Sequence, residues 1–163
     1  MGATVRIDDC SILVVFGDDG LRGLNSSDVG LWLEALSEEF SIPLHFVKMT
    51  VGQDIESSFA ELPLHNLDRQ QNRLLLAGAN LEDAVTFASL QCLLQGFDVF
   101  FLVDLIAVNN AKYASFHWER LFQAGGVPTT MTQILAEWEL SETSSTLAAQ
   151  IRNQAENYRQ LCR

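Results

Sequence analysis

Residues 73–106 read in order as a strand, a tight turn, an amphipathic helix and a second strand, and this order constrains the fold more than any other stretch. An apolar run ends at Gly78, and apolar side chains then recur at helical spacing until Gly96. Residues 97–103 are nearly all apolar and β-prone, as expected of a strand covered on both faces. Because a helical crossover of this kind joins parallel strands, the stretch predicts an α/β sheet.

The turn inside this stretch, residues 78–81, lies at the carboxyl end of a strand and the amino end of a helix. Asn80 is predicted to cap the helix, and Glu82 lies in its first turn, where the helix dipole favours a carboxylate. Ligands of open α/β sheets bind at this edge. Asn80, Leu81 and Glu82 are therefore candidate ligand-binding residues.

The rest of the chain continues the alternation of strand and helix. Further strands are predicted at residues 11–16, 43–49 and 127–131, and further helices at 28–40, 110–124, 132–138 and 144–161. Residues 57–69 favour a helix but contain Pro63, which predicts a short or kinked segment. We expect a three-layer, doubly wound α/β sheet of five to six mostly parallel strands with helices on both faces. The 163 residues are expected to form one domain, with residues 141–163 as a C-terminal helical extension.

The net charge of −11, with lysine only at two positions, argues against nucleic acid or an anionic membrane as a partner. No apolar run reaches the ~20 residues that a membrane span needs, and the first ten residues lack the apolar core of a signal peptide. The three cysteines have no metal-ligand spacing, and their odd number favours a reducing compartment. We expect a cytoplasmic protein without disulfides, cofactor or metal site.

The sequence GANLEDAV at residues 78–85 resembles the nucleophile turn of the isochorismatase-like cysteine hydrolases. That turn has a glycine, two small or apolar residues, a threonine, an acidic residue, a variable residue, the nucleophilic cysteine and a β-branched residue. In this chain the threonine position is Leu81 and the cysteine position is Ala84. The frame of the motif is present without its reactive sulfur.

The resemblance extends over nearly the whole chain and is greatest to the bacterial oligomeric branch of the family. It is carried by residues 11–21 and by the sequences FDVFFLVD (97–104), HWER (117–120), QAG (123–125), EW (137–138) and YRQL (158–161). The resemblance implies the family fold and a homo-oligomer. The family's long excursion between the second and third strands is missing, since residues 47–53 are read as joining the two sides directly.

Members of the family use an aspartate as base, a lysine or arginine to stabilise charge, and the cysteine as nucleophile. By the resemblance, these three positions fall on Phe16, Thr50 and Ala84. A phenyl ring and a methyl group can neither transfer a proton nor attack a carbon. The resemblance therefore implies a fold that has abandoned the family's chemistry.

Four carboxylates at predicted strand ends are the candidates for a replacement site: Asp18, Asp19, Glu82 and Asp104. Oxygen ligands of this kind can collect a hard cation such as Mg²⁺. In the alternative, Asp18 and Asp19 are solvated turn residues, Glu82 is a helix-start carboxylate and Asp104 accepts hydrogen bonds from the backbone. We favour this structural alternative and predict no metal site.

Two further side chains lie near the lost groups. Cys92 is eight residues past Ala84, which places it ~12 Å further along the helix, so we expect a packed core thiol. Lys48 lies two residues before Thr50, on the same face of an extended strand. A surface or interface lysine is the favoured interpretation of Lys48.

The absence of the triad leaves two functional hypotheses. In the first, the chain is a non-catalytic module that binds a small ligand, or a partner's side chain, beside Phe16 and Ala84, or that assembles as a homo-oligomer. The contacts of that oligomer would come from Trp118, Phe122 and Trp138 and from the apolar stripe of the terminal helix. In the second, the chain hydrolyses an amide, ester or vinyl ether bond with a relocated or metal-assisted site.

Overall fold

The computed structural model describes residues 5–17, 26–49 and 72–163. Its strands are β1 (Cys10–Phe16), β2 (Leu44–Lys48), β3 (Arg73–Gly78), β4 (Asp98–Ile106) and β5 (Val127–Thr129). Its α-helices are α1 (Ser26–Phe40), α2 (Thr86–Leu94), α3 (Ala114–Gln123), α4 (Met131–Ser141) and α5 (Ser145–Leu161). A π-helical turn (Leu81–Val85) leads into α2, and a 3-10 turn (Ala111–Tyr113) leads into α3.

The strands of the described residues form one parallel, five-stranded sheet in the order β2-β1-β3-β4-β5. Helices α1, α4 and α5 cover one face, and α2 and α3 cover the other. This arrangement confirms the predicted three-layer α/β fold. Pro128 lies in the edge strand β5, as predicted, because an edge strand does not need every backbone donor.

The face that carries α1, α4 and α5 holds the first half of the hydrophobic core. Trp138 of α4 is fully buried there, and the rings of Trp32 and Tyr158 lie 4.8 Å apart. Trp32 Nε1 donates to Gln154 Oε1 at 3.0 Å, which fastens α5 to α1. Ile151 is also buried, so the apolar stripe of the terminal helix packs within its own chain.

The opposite face, beneath α2 and α3, holds the second half of the core. Cys92 of α2 is buried there, as predicted, and Leu121 of α3 packs in the same cluster. Trp118 meets Phe101 edge-on at 5.9 Å and stacks on Phe122 at 5.7 Å between ring centroids. Two of the three aromatic residues expected at an interface thus contact a strand of their own sheet, and Trp138 lies in the opposite core.

Strands β1 and β3 approach each other most closely at Gly78. A Cβ atom at this position would lie 2.2 Å from the backbone oxygen of Val15, well inside van der Waals contact. Glycine is therefore required here because a side chain would not fit. The backbone conformation alone does not require glycine, since its φ is not in the left-handed region. Gly78, the first residue of the turn that resembles the nucleophile motif, is therefore needed for the packing of the strands, whether or not the turn is catalytic.

Strand β4 is longer than predicted, and this changes the position of Asp104. The strand continues to Ile106, so Asp104 lies inside it and not at its carboxyl end. The pairing with β3 shifts register between Leu76 and Gly78, which lets β4 run on, and Leu105 and Ile106 are buried. The sequence pattern predicts that the strand ends at residue 103, because the charged Asp104 interrupts the apolar run, whereas the strand continues past Asp104 to Ile106.

The predicted ends of several helices can be compared with the structure. Helix α4 begins one residue before the predicted start and ends three residues after the predicted end, with a capping box between Thr130 and Gln133. Ser144 caps α5, and Gly96 ends the helix before β4 with φ 88°. The helix-prone segment 57–69 lies outside the described residues. In the part of the chain that the structure describes, no helix is long and apolar enough to cross a membrane.

Candidate functional site

The turn that follows β3 has the backbone of a helix cap. Asn80 adopts a left-handed conformation (φ 73°), and its Oδ1 accepts from the Asp83 backbone N–H at 3.2 Å. The predicted N-cap is therefore confirmed. The first helical turn is wide, because Val85 N donates to Asn80 O and Thr86 Oγ1 donates to Leu81 O at 2.6 Å. We call residues 78–85 the β3 turn.

Backbone hydrogen bonds hold the β3 turn between its two neighbouring strands. Ala79 N donates to Val15 O at 2.9 Å, and Leu81 N donates to Ala107 O at 3.0 Å. Ala107 N returns a bond to Gly78 O at 2.9 Å. The Leu81 amide, one of the groups expected to bind a ligand, is thus already paired with its own chain.

Ala84 occupies the position at which the resemblance puts a nucleophile, and its exposed fraction is 0%. A Cβ atom at Gly17 would lie 3.9 Å from Ala84 Cβ, 3.8 Å from Asn80 Nδ2 and 3.9 Å from Met49 O. Strand β1, strand β2 and the β3 turn therefore meet around a methyl, an amide and a carbonyl group. None of these groups can serve as a nucleophile or a proton acceptor for hydrolysis.

Strand alternation separates Phe16 from Ala84. Val14 packs in the cluster beneath α1, and Phe16, two residues later, follows it on that face. Val15 packs in Ala84's cluster, and Gly17 follows on that side. The residue that adjoins Ala84 on this side is thus Gly17, just past the end of β1 and one position beyond the residue that the resemblance indicated.

The same alternation applies to β2. Lys48 pairs with Phe16, is exposed, and alternates with Val47 and Met49, which pack in Ala84's cluster. The pattern therefore favours the surface position expected for Lys48. Thr50, the position of the lost cation, lies outside the described residues, as do Asp18 and Asp19.

Glu82 is a structural carboxylate. Its Oε1 accepts from Asn110 N at 2.7 Å, and its Oε2 accepts from Asn109 N at 3.2 Å. Both oxygens therefore hold the segment between β4 and α3 against the β3 turn. This arrangement matches the structural alternative for Glu82.

Asp104 is also used by the fold. Its two oxygens accept from Met131 N at 3.1 and 3.2 Å, which caps the start of α4, and Oδ2 accepts from the Tyr158 hydroxyl at 2.6 Å. Burial raises the pKa of Tyr158, and the hydrogen bond to Asp104 raises it further. Tyr158 therefore stays a neutral donor. Among residues 5–17, 26–49 and 72–163, no group of His, Cys, Asp and Glu side chains is arranged to hold a metal ion.

A cleft of about 650 Å³ opens beside Asp104, on the face of the sheet opposite Ala84. Its walls are the end of β4, the start of α4, the end of α5 and Val29 of α1. It is lined by Val29, Asp104, Leu105, Ile106, Ala107, Thr130, Thr132, Tyr158, Arg159, Leu161, Cys162 and Arg163. We call it the Asp104 cleft. Except for Asp104, none of these residues was a sequence candidate, because they come together only when α5 packs back on the sheet.

The cysteines do not supply a replacement nucleophile at the β3 turn. Burial raises the pKa of the Cys92 thiol to about 12. Burial, with the nearby Asp9 and Asp8 carboxylates, raises the pKa of Cys10 to about 12 as well. Cys162 is exposed but lies at the end of α5, in the Asp104 cleft.

Comparison with known proteins gives structural neighbours only. No protein-family model and no curated protein matches the chain. The chain is similar to YcaC from Pseudomonas aeruginosa, solved with hexane-2,5-diol and covalent acrylamide (19% identity, 96% of each chain covered, TM-score 0.63). It is also similar to the YcaC gene product of Escherichia coli, described as an octameric hydrolase of unknown specificity (20% identity, 99% and 98% covered, TM-score 0.63).

A third neighbour is the MAR1 ribonuclease from Caenorhabditis elegans, at 14% identity, with 92% of each chain covered and a TM-score of 0.60. At these identities the likeness establishes the fold. The coverage is almost complete in both directions, and the predicted isochorismatase-like fold is confirmed.

Proposed function

We propose that this chain, which has the isochorismatase-like cysteine hydrolase fold, is a non-catalytic member of that fold and acts as a homo-oligomeric assembly module. The observation that carries the proposal is Ala84, a fully buried methyl group at the position of the nucleophile. Without a thiol there, the covalent step of the fold's hydrolases cannot begin.

The surroundings of Ala84 support the loss of catalysis. Gly17 and the carbonyl of Met49 adjoin it, and neither can take a proton from an attacking group. Glu82 and Asp104, the described carboxylates that remained as substitutes, already accept backbone and tyrosine hydrogen bonds. Using either one for chemistry would break contacts that hold the fold together.

Exposed aromatic residues on α3 support assembly. Phe116 is 66% exposed, and Tyr113 lies beside it with a ring separation of 6.4 Å. Lys112 Nζ lies 5.3 Å from the centre of the Tyr113 ring. We call Tyr113 and Phe116 the α3 face.

The occupant that we propose for the α3 face is a second copy of this chain. Aromatic side chains are enriched in the centres of protein interfaces, and exposed apolar patches mark such sites. The E. coli YcaC neighbour, which shares nearly the full length of the chain, is octameric. Trp138 and most of the α5 stripe, which were among the expected contacts, are buried within the chain, whereas Leu161 at the end of the stripe is 38% exposed.

Sedimentation velocity and light scattering would test the assembly. The wild type is expected to be oligomeric, and Phe116→Asp is expected to weaken association by about 100-fold, because it puts a charge into an apolar contact. Leu140→Asp is the matched control, since Leu140 on α4 is 86% exposed and outside the α3 face. A monomeric wild type, or a control that dissociates as much as Phe116→Asp, would contradict the proposal.

A hydrolysis screen would test the loss of catalysis separately. The wild type is expected to stay at the buffer rate with amide, ester and vinyl ether substrates, with and without added divalent metals. Turnover that a chelator abolishes would instead support the alternative, a hydrolase with a metal-assisted site. Turnover abolished by iodoacetamide would support a relocated cysteine. Either result would overturn the non-catalytic assignment while leaving the assembly result unaffected.

A further inference from the structure

We infer that the Asp104 cleft binds a small organic carboxylate. The cleft lies on the face of the sheet opposite the β3 turn, so the inference does not depend on whether the turn is catalytic. Its volume of about 650 Å³ is in the range of small-molecule sites, roughly 300 to 1,000 Å³. The class of ligand follows from three features of its lining.

The first feature is an apolar wall. Val29 of α1, Leu105 and Ile106 of β4, and Leu161 of α5 line one part of the cleft. Leu161 is partly exposed at its edge. A ligand with an apolar body would remove this surface from water, which favours binding. Inorganic phosphate has no such body and would leave the wall in contact with water.

The second feature is the state of the acidic group. Asp104 accepts from Met131 N with both oxygens and from the Tyr158 hydroxyl with Oδ2. The Asp104 carboxylate therefore already accepts three hydrogen bonds from two donors of its own chain. A ligand cation would have to compete with these donors, which disfavours a basic ligand.

The third feature is an excess of hydrogen-bond donors. Arg159 and Arg163 line the cleft together with the hydroxyl group of Thr132. The hydroxyl group of Thr130 also lines it but is already paired with Gln133 in the capping box. In the first turn of α4, Met131 N and Gln133 N donate to described side chains, and Thr132 lies between them at the positive end of the helix dipole. Guanidinium groups match a carboxylate in shape as well as in charge.

Arg159 is available to a ligand at low cost. It pairs with Glu156 at 2.9 Å, but both side chains are about half exposed. Exposed pairs of this kind are weak because water and salt screen them, so a bound carboxylate can share or replace the contact. Long-range repulsion by the chain's net charge of −11 is screened beyond about 8 Å at physiological salt.

The test uses the full chain and 3-phenylpropionate as the probe, with backbone chemical shifts in ¹⁵N-labelled protein as the readout. We expect saturable shifts at Thr130, Thr132 and Arg159, with a dissociation constant below about 1 mM. Its neutral analogue, 3-phenylpropanamide, is expected to bind at least tenfold more weakly. Phosphate is expected to produce shifts at the arginines without saturation in the same range.

Arg159→Gln and Arg163→Gln are each expected to weaken binding about tenfold, because each removes a charge-assisted donor. Arg152→Gln is the matched control: Arg152 lies on the same helix, pairs with Glu139 and does not line the cleft. Three results would overturn the inference. They are no saturable shift with the probe, equal binding of the amide, and equal loss of binding in the Arg152 control.

Discussion

The β3 turn and the Asp104 cleft lie at the same carboxyl edge of the sheet, yet they differ in what their side chains can do. The turn brings Asn80 and the buried Ala84 next to Gly17, and none of these residues carries a nucleophile or a titratable group. The cleft is open and carries a carboxylate, a tyrosine and two arginines. Segment 105–107 separates them, and Ala107 bonds to the turn on one side and lines the cleft on the other.

This difference shows that the β3 turn has structural requirements of its own. Gly78 is needed because Val15 O leaves no room for a Cβ atom, and Asn80 supplies the acceptor that caps the helix. These are requirements of folding. Ala84 fills its buried position with a methyl group.

The largest expected effect is at the close approach of the β3 turn to β1. Gly78→Ala is expected to destabilise the protein by more than about 4 kcal/mol, or to prevent folding, because the new methyl overlaps Val15 O. Gly30→Ala in α1 is the matched change, since nothing lies within 4 Å of its Cβ position. It is expected to stabilise by about 0.5 to 1 kcal/mol. Urea denaturation would measure both, and equal effects would refute the steric argument.

The next effect is in the Asp104 cleft. Tyr158→Phe is expected to cost about 1.5 to 3 kcal/mol, because it removes a hydrogen bond to a charged group. The raised pKa of Tyr158 also sets a pH dependence, since its contribution is complete below pH of about 10 and is lost as the unfolded chain ionises above that. The wild type should therefore lose more stability than Tyr158→Phe above that pH. Tyr113→Phe is the control, since it keeps the aromatic ring of the proposed α3 face, and it is expected to change stability by less than about 0.5 kcal/mol.

The smallest effect is expected from restoring the thiol. Ala84→Cys is expected to change stability by about 1 kcal/mol, because one extra atom enters a packed site. It is also expected to remain inactive with amide, ester and vinyl ether substrates, since the base and the cation are still missing. Hydrolysis by this single variant would show that the β3 turn has kept more of its site than its packing indicates.

The sequence predicts those features of the fold that depend on a few neighbouring residues, and it does not predict those that depend on two distant segments. Apolar periodicity and turn residues located the β3 turn, its cap at Asn80 and the helix end at Gly96, because caps and glycine conformations are settled within a few residues. The end of β4 was placed wrongly, since a register shift against β3 extends it past Asp104. Such a shift is a property of two strands together.

The candidate site was predictable only in part. Gly17 could have been found in place of Phe16 by counting strand alternation from Val15. Arg159 and Arg163 carried no comparable signal, because they are more than 50 residues from Asp104 in the sequence and meet it only across the α5 contact.

The sequence by itself determined the parallel α/β sheet and the absence of a thiol at position 84, because hydrophobic periodicity and residue identity are local and require no partner. The tertiary structure alone decided which groups share a surface. It placed Gly17 against Ala84, gave Glu82 and Asp104 to backbone amides, and folded α5 back to build a cleft around Asp104. These contacts form between segments that are distant in the sequence. Their free energy depends on both segments together, so neither segment alone predicts them.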